Sequence, residues 1–162
     1  MNKQFTFWGV ALIGVAFVVG GLAVLFLGLQ AYGTVSQSLA EEKLEVADPA
    51  ILLTYEGARA PEGVEVPTIL VDTEAEAEAQ ARVIRTHTMG ITGGKTYSEM
   101  DREDPARATY ITSLTLQGSL YLAKIGLQLS QFVIGVGIAF TGLGGGILVL
   151  GLPLVRKVLD LK

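Results

Sequence analysis

The residues that could do chemistry lie between His87 and Arg107. His87 is the one histidine, and there is no cysteine. An imidazole can bind a metal or move a proton, but one histidine excludes any site that requires two, such as the two-histidine, one-carboxylate iron site, and the absence of cysteine excludes a thiolate zinc site. Late in a predicted helix, His87 reads as a solvated or packed side chain near the end of the dipole that favours a cation. Glu99, Asp101, Glu103 and Asp104 suggest calcium by charge alone. Their spacing does not match the helix–loop–helix calcium loop, and Arg102 and Arg107 stand beside them as ion-pair partners. Capping and surface pairing are the expectation. Gly94-Lys95-Thr96 ends like a phosphate-binding loop, which requires G-x-x-x-x-G-K-[ST]. The nearest earlier glycine, Gly90, is one residue too close, and the stretch before it reads as helix. Turn and helix start is the better account. No catalytic, cofactor-binding or metal-ligating residue is assigned, no cofactor is expected, and the chain is not read as an enzyme.

The elements that hold these residues are dominated by two apolar runs. Residues 4–40 carry no charge, and residues 108–155 carry Lys124 alone. The span 129–153 is 25 residues long; at about 1.5 Å per residue it is long enough to cross a hydrocarbon core of ~30 Å with some tilt. The first span is 7–29, with Phe5, Phe7 and Trp8 at one edge and Tyr32 just past the other, as at a headgroup boundary. A cleaved signal peptide would have an apolar run of roughly 7 to 15 residues; this one has 23, so an uncleaved anchor is expected. Residues 108–128 are too rich in Ser, Thr and Gln for a third span.

Mean hydropathy is +0.48 and half the residues are hydrophobic, yet the charges cluster in the middle of the chain. That is the pattern of membrane segments around a water-exposed insert. Residues 31–130 hold eight Lys and Arg against fifteen Asp and Glu, while Lys3, Arg156, Lys157 and Lys162 at the ends face Asp160 alone. Cations near membrane ends mark the cytoplasmic side. Both termini (1–6 and 154–162) are therefore expected inside and residues 30–128 outside.

Within the insert, residues 34–45 lack glycine and proline and are expected to prolong the first helix until Asp48-Pro49. Residues 51–55 and 68–72 are β-rich and predicted to pair, with Pro67 confining its strand to an edge. Thr73 with Glu76 forms a capping box, Glu74, Glu76 and Glu78 load the positive end of the dipole, and Gly90 is the expected stop. Thr96 with Glu99 predicts a helical turn over 97–100. Asp104 as N-cap and Pro105 at the first helical position start the long helix, with no breaker until Pro153. Gly90, Thr92, Gly93, Gly94, Lys95, Thr96, Tyr97, Glu99, Asp101, Arg102, Glu103, Asp104 and Pro105 thus form a structural joint.

In the second span, Gly135 and Ala139, then Gly137, Thr141 and Gly145, and also Gly142 and Gly146, fall at four-residue spacing; the first span has Ala16 and Gly20. Small residues so spaced let helices approach closely. Gly142 and Gly146 in particular are expected at a helix–helix contact, whether with the first span, another copy or another subunit.

Thr92-Gly93-Gly94-Lys95-Thr96-Tyr97 followed by Asp101-Arg102-Glu103-Asp104-Pro105 resembles a family of small bacterial membrane proteins. These have two spans flanking an outer segment that contains T-G-G-K-T-Y and then D-R-E-D-P. Members often carry the label of aromatic ring-opening dioxygenase. An extradiol iron site needs two histidines and a carboxylate, which one chain with one histidine does not supply. The resemblance implies the two spans and the outer segment, and no established activity.

The expected fold is a mainly α membrane protein: two transmembrane helices extended outside the membrane, with a small extracytoplasmic α(+β) insert, in a bacterial plasma (inner) membrane. The expected function is that of a non-catalytic structural or accessory subunit. The alternative is an extracytoplasmic ligand- or envelope-binding module. Expected partners are the lipid bilayer and a second copy or a larger membrane complex, with no nucleic acid.

Overall fold

The computed structural model describes residues 3–47, 63, 65 and 67–160. In chain order the elements are α1 (Lys3–Glu41), β1 (Glu45–Ala47), β2 (Thr68–Leu70), α2 (Glu74–Ile91), α3 (Ala106–Gly146), a π-helical turn (Ile147–Gly151) and α4 (Leu152–Asp160). The fold is mainly α, with one two-stranded sheet among the described residues. Two helical runs, Gln4–Glu41 and Ala106–Val158, are long and apolar enough to cross a membrane, and only 11% of the most apolar window of each is buried. A core helix of a soluble protein would bury most of that window. Here Trp8, Leu12, Phe26, Phe132 and Ile138 are exposed. The chain divides into two compact units, Met1–Tyr32 with Leu129–Lys162, and Gly33–Gln128.

In the first unit, α1 and α3 run antiparallel along a glycine seam. Gly14, Gly21 and Gly28, seven residues apart, are buried, as are Gly137 and Gly144 opposite them. A Cβ built on Gly21 would lie 2.5 Å from the Thr141 backbone nitrogen, and one on Gly137 2.5 Å from that of Leu25. One on Gly144 would meet the Gly14 carbonyl at 2.6 Å, and one on Gly28 the Ile134 nitrogen at 2.9 Å. Backbone therefore touches backbone along the seam, as small residues allow between apolar helices. The seven-residue repeat is the one that keeps a seam facing its partner along two supercoiled helices. Thr141 sits in the seam because its hydroxyl donates back to the Gly137 carbonyl at 2.8 Å. Phe17 and Phe140 add an edge contact, with centroids 5.5 Å apart. Past Gly146 the helix widens to a π turn, where the Leu152 N–H reaches the Ile147 carbonyl. Pro153 follows and has no N–H to donate.

In the second unit α1 ends at Glu41, four residues short of the expected 45. Lys43 takes a left-handed φ of 50°, and its N–H closes on the Ala40 carbonyl at 3.0 Å. That turn stops the helix without a glycine and sends the chain straight into β1. β1 pairs antiparallel with β2, Glu45 opposite Leu70, Val46 opposite Ile69 and Ala47 opposite Thr68. The Val71 N–H to Leu44 carbonyl bond of 2.9 Å extends the ladder. The partner of β2 is thus 45–47; the expected strand 51–55 lies outside the described residues. Val46 decides this pairing, being 3% exposed in a core with Val71, Ala77, Ala79, Ala81 and Leu120. Ala77, Ala79 and Ala81 are buried and let neighbours come close, while the half-buried glutamates take specific partners, Glu76 in the cap and Glu78 on Arg82 and Lys124.

Both caps of α2 are made. Thr73 and Glu76 form the reciprocal box, with the Glu76 carboxylate accepting from the Thr73 N–H at 2.8 Å. Burial works to raise the Glu76 carboxyl, but the N–H groups of Asp72 and Thr73 and the Thr73 hydroxyl hold it below the usual range. At the other end Gly94 N–H bonds the Met89 carbonyl at 2.8 Å and Gly93 N–H that of Gly90 at 3.4 Å. This is a Schellman motif with Gly93 (φ 61°) as its left-handed residue. The stop is Gly93, and Gly90 is an ordinary helical position, because the six-to-one bond sets where the last carbonyls are satisfied.

Candidate functional site

The segment from Thr92 to Arg107 is folded by local bonds. Thr92 is buried, and its hydroxyl reaches the Lys95 carbonyl at 2.8 Å. The Glu99 carboxylate accepts from the Thr96 N–H at 2.7 Å and the Thr96 hydroxyl at 2.6 Å. These two bonds, the hydroxyl first, hold the exposed Glu99 carboxyl below its usual range. The Glu99 N–H closes on the Thr96 carbonyl at 3.1 Å. Residues 97–99 form a turn, not the expected helical one. Asp104 caps α3 as expected, Oδ1 accepting from the Ala106 N–H at 2.9 Å, with Pro105 before the first hydrogen-bonded turn.

Arg107 does not pair with the acidic cluster. Its Nη1 donates to the carbonyls of Met100 at 2.8 Å and Tyr97 at 3.2 Å, and its guanidinium lies 3.9 Å from the Tyr97 ring centroid. A planar guanidinium can satisfy turn carbonyls and an aromatic face together, which a carboxylate in water does not reward as well. Tyr97 packs 6.4 Å from Tyr110, which is buried along with Met100. Asp101, Arg102 and Glu103 are exposed. Among the described residues, no three His, Asp or Glu side chains converge to hold a metal.

A buried polar chain links α2 to α3. Gln117 Nε2 donates to Ser113 Oγ at 2.8 Å, and Ser113 Oγ lies 2.6 Å from the Thr88 hydroxyl. Thr88 Oγ1 is also 2.8 Å from the Ile84 carbonyl. Thr88 has one proton; placed on that carbonyl, it leaves Ser113 to donate to Thr88, so all four groups are satisfied in sequence. Beside this chain lies a groove of about 520 Å³ lined by Val83, Ile84, His87, Thr88, Ala108, Thr109, Thr112, Ser113 and Leu116. That volume is within the range of roughly 300–1,000 Å³ typical of ligand sites. Its walls are mostly apolar, with His87 and Thr109 exposed at the surface. The Thr112 hydroxyl bonds back to the Ala108 carbonyl at 3.1 Å. Among the described residues no buried side-chain nitrogen or oxygen lacks a partner.

Lys124, the lone charge of the long helix, donates to Glu78 Oε2 at 2.7 Å, and Arg82 reaches Oε1 at 2.7 Å. Those two cations, Lys124 first, hold the Glu78 carboxyl below the usual range. Sequence reasoning did not find this pair or the Thr88–Ser113–Gln117 chain. The available signal was Tyr110, Ser113, Gln117 and Lys124, polar-tipped residues that share one helical face with Leu120 and Leu127. Of the small residues singled out by spacing, Gly137 and Thr141 lie in the glycine seam. A Cβ on Gly20, Gly135, Gly142, Gly145 or Gly146 would meet nothing within 4 Å, and Ala16 and Ala139 are exposed. No family model matches the chain, and no curated protein and no solved structure is found to be similar to it.

Proposed function

We propose that the chain is a two-span integral protein of a bacterial plasma membrane that acts as a non-catalytic structural or accessory subunit. Its termini are cytoplasmic and its central domain is outside. The observation that carries this reading is the surface of α3 within the Gly33–Gln128 unit. Ile111, Leu114, Leu122 and Ile125 are 48%, 48%, 71% and 57% exposed, on a stretch of 108–128 where the one charge is already paired. A domain facing water that leaves such a face bare is built to be covered. The groove at His87 supports a second reading, a membrane-anchored binding module, because it combines an apolar wall with a few convergent polar groups.

Mild-detergent extraction followed by native mass measurement separates the two. An assembly heavier than one 17.1 kDa chain is expected. A monomer whose unfolding temperature rises with a small amphiphile would replace the first reading by the second. A cysteine at exposed Ser98 should react with an impermeant thiol reagent in intact cells, and one at exposed Lys157 should not; the reverse would overturn the orientation.

A further inference from the structure

We infer that the partner covering α3 is a second copy of the same chain, docked in parallel through a second seven-residue seam. The inference rests on the two-span reading above. Within the Gly33–Gln128 unit, α3 buries Tyr110, Ser113, Gln117, Leu120 and Leu127. Its other repeat is bare. Ile111, Gly118 and Ile125 fall seven apart, and so do Leu114, Tyr121 and Gln128. Ile111, Leu114, Tyr121 and Ile125 are 48%, 48%, 39% and 57% exposed. These two interleaved series are the a and d positions of a coiled-coil seam.

Three features select a copy of this chain over an unlike partner. Two copies inserted the same way in one membrane hold their α3 helices parallel and at equal depth, so each seam residue meets its own equivalent without adjustment. Such self-pairing opposes like charges wherever a charge lies at the seam; neither series contains one, and the neighbouring Lys124 is paired with Glu78. Area is sufficient as well. In sequence the same two series run on through Phe132, Gly135, Ala139, Gly142 and Gly146, with Phe132 68% exposed. At on the order of 100 Å² per exposed large side chain, five from each copy remove roughly 1,000 Å², about what a specific interface must clear. Gln128, the one polar position, would meet its equivalent and set the register, as a single buried amide does in coiled coils.

The chain has no cysteine, so in a single-cysteine variant a disulfide-linked product of twice the chain mass reports contact between two copies at that position. Oxidation in native membranes should convert Ile111→Cys and Ile125→Cys to a covalent dimer several-fold more than Thr112→Cys and Ser119→Cys, which are exposed on the other flank. The double variant Ile111→Glu with Ile125→Glu should reduce the native mass by one 17.1 kDa chain. Equal yields at all four positions, or none at 111 and 125, overturn the inference. If the second result comes with a heavier assembly containing another protein, self-pairing fails and the accessory reading stands. If it comes with a monomer in every detergent, both fail.

Discussion

In the unit formed by Met1–Tyr32 and Leu129–Lys162, a methyl group on Gly21 or Gly137 would strike facing backbone at 2.5 Å. In the Gly33–Gln128 unit the helices meet through side chains: alanines and valines in a core, the Thr88–Ser113–Gln117 chain, and the Lys124–Glu78 pair. The contrast follows from the solvent each would have on the two-span reading. Between helices bathed in lipid, burying a leucine gains little, and close backbone contact supplies the attraction. In water, burial itself drives packing, and polar groups are tolerated inside only when their bonds are complete. The first unit therefore depends on the absence of side chains at a few positions, and the second on the presence of particular ones.

The sharpest way to break this contrast is to add volume to the seam. Gly137→Leu should destabilise the helix pair by at least about 1–3 kcal/mol, the usual cost of overpacking, since backbone cannot step aside as a side chain can. Gly20→Leu should leave unfolding nearly unchanged, because a Cβ there meets nothing within 4 Å and the position belongs to neither seven-residue series. Unfolding temperatures in detergent compare the two; equal losses would dissolve the distinction between seam and surface.

A smaller effect tests the dependence of the outer unit on its caps. Asp104→Ala removes the acceptor for the Ala106 N–H and should cost about 0.5–2 kcal/mol. Faster hydrogen exchange across 96–110, with the glycine seam unaffected, is the expected result. Unchanged exchange there would mean that Arg107, bound to the Tyr97 and Met100 carbonyls, holds the joint without the cap.

The smallest effect is electrostatic. The Glu78 carboxyl is held down by Lys124 and Arg82, so the folded state releases its proton more readily than the unfolded one. The resulting stability is complete above the ordinary glutamate range and is lost as pH falls through the lowered folded value. A partly exposed pair of this kind contributes no more than about 1 kcal/mol. Glu78→Gln should unfold slightly earlier than the parent at neutral pH, and the gap should close on acidification. A gap that widens in acid would contradict the sign.

What could be read from the sequence alone was what neighbours along the chain decide. The two apolar runs, the Thr73–Glu76 box and the Asp104–Pro105 start depend on residues within a turn or on the sum of one window, and the structure has each of them. What the tertiary structure decided was every choice among equivalent partners. Glycines stand at both four- and seven-residue spacing in 135–146, and only the facing positions Gly14, Gly21 and Gly28 select Gly137 and Gly144. β2 could have paired with any extended segment, and the buried Val46 gave it 45–47. Lys43 ends α1 in a conformation that no glycine or proline announces. Arg107 had four carboxylates nearby in sequence and took two carbonyls and a ring instead. For the glycines and for β2, local sequence leaves several partners equivalent, and it is the packed neighbour, distant in sequence, that separates them.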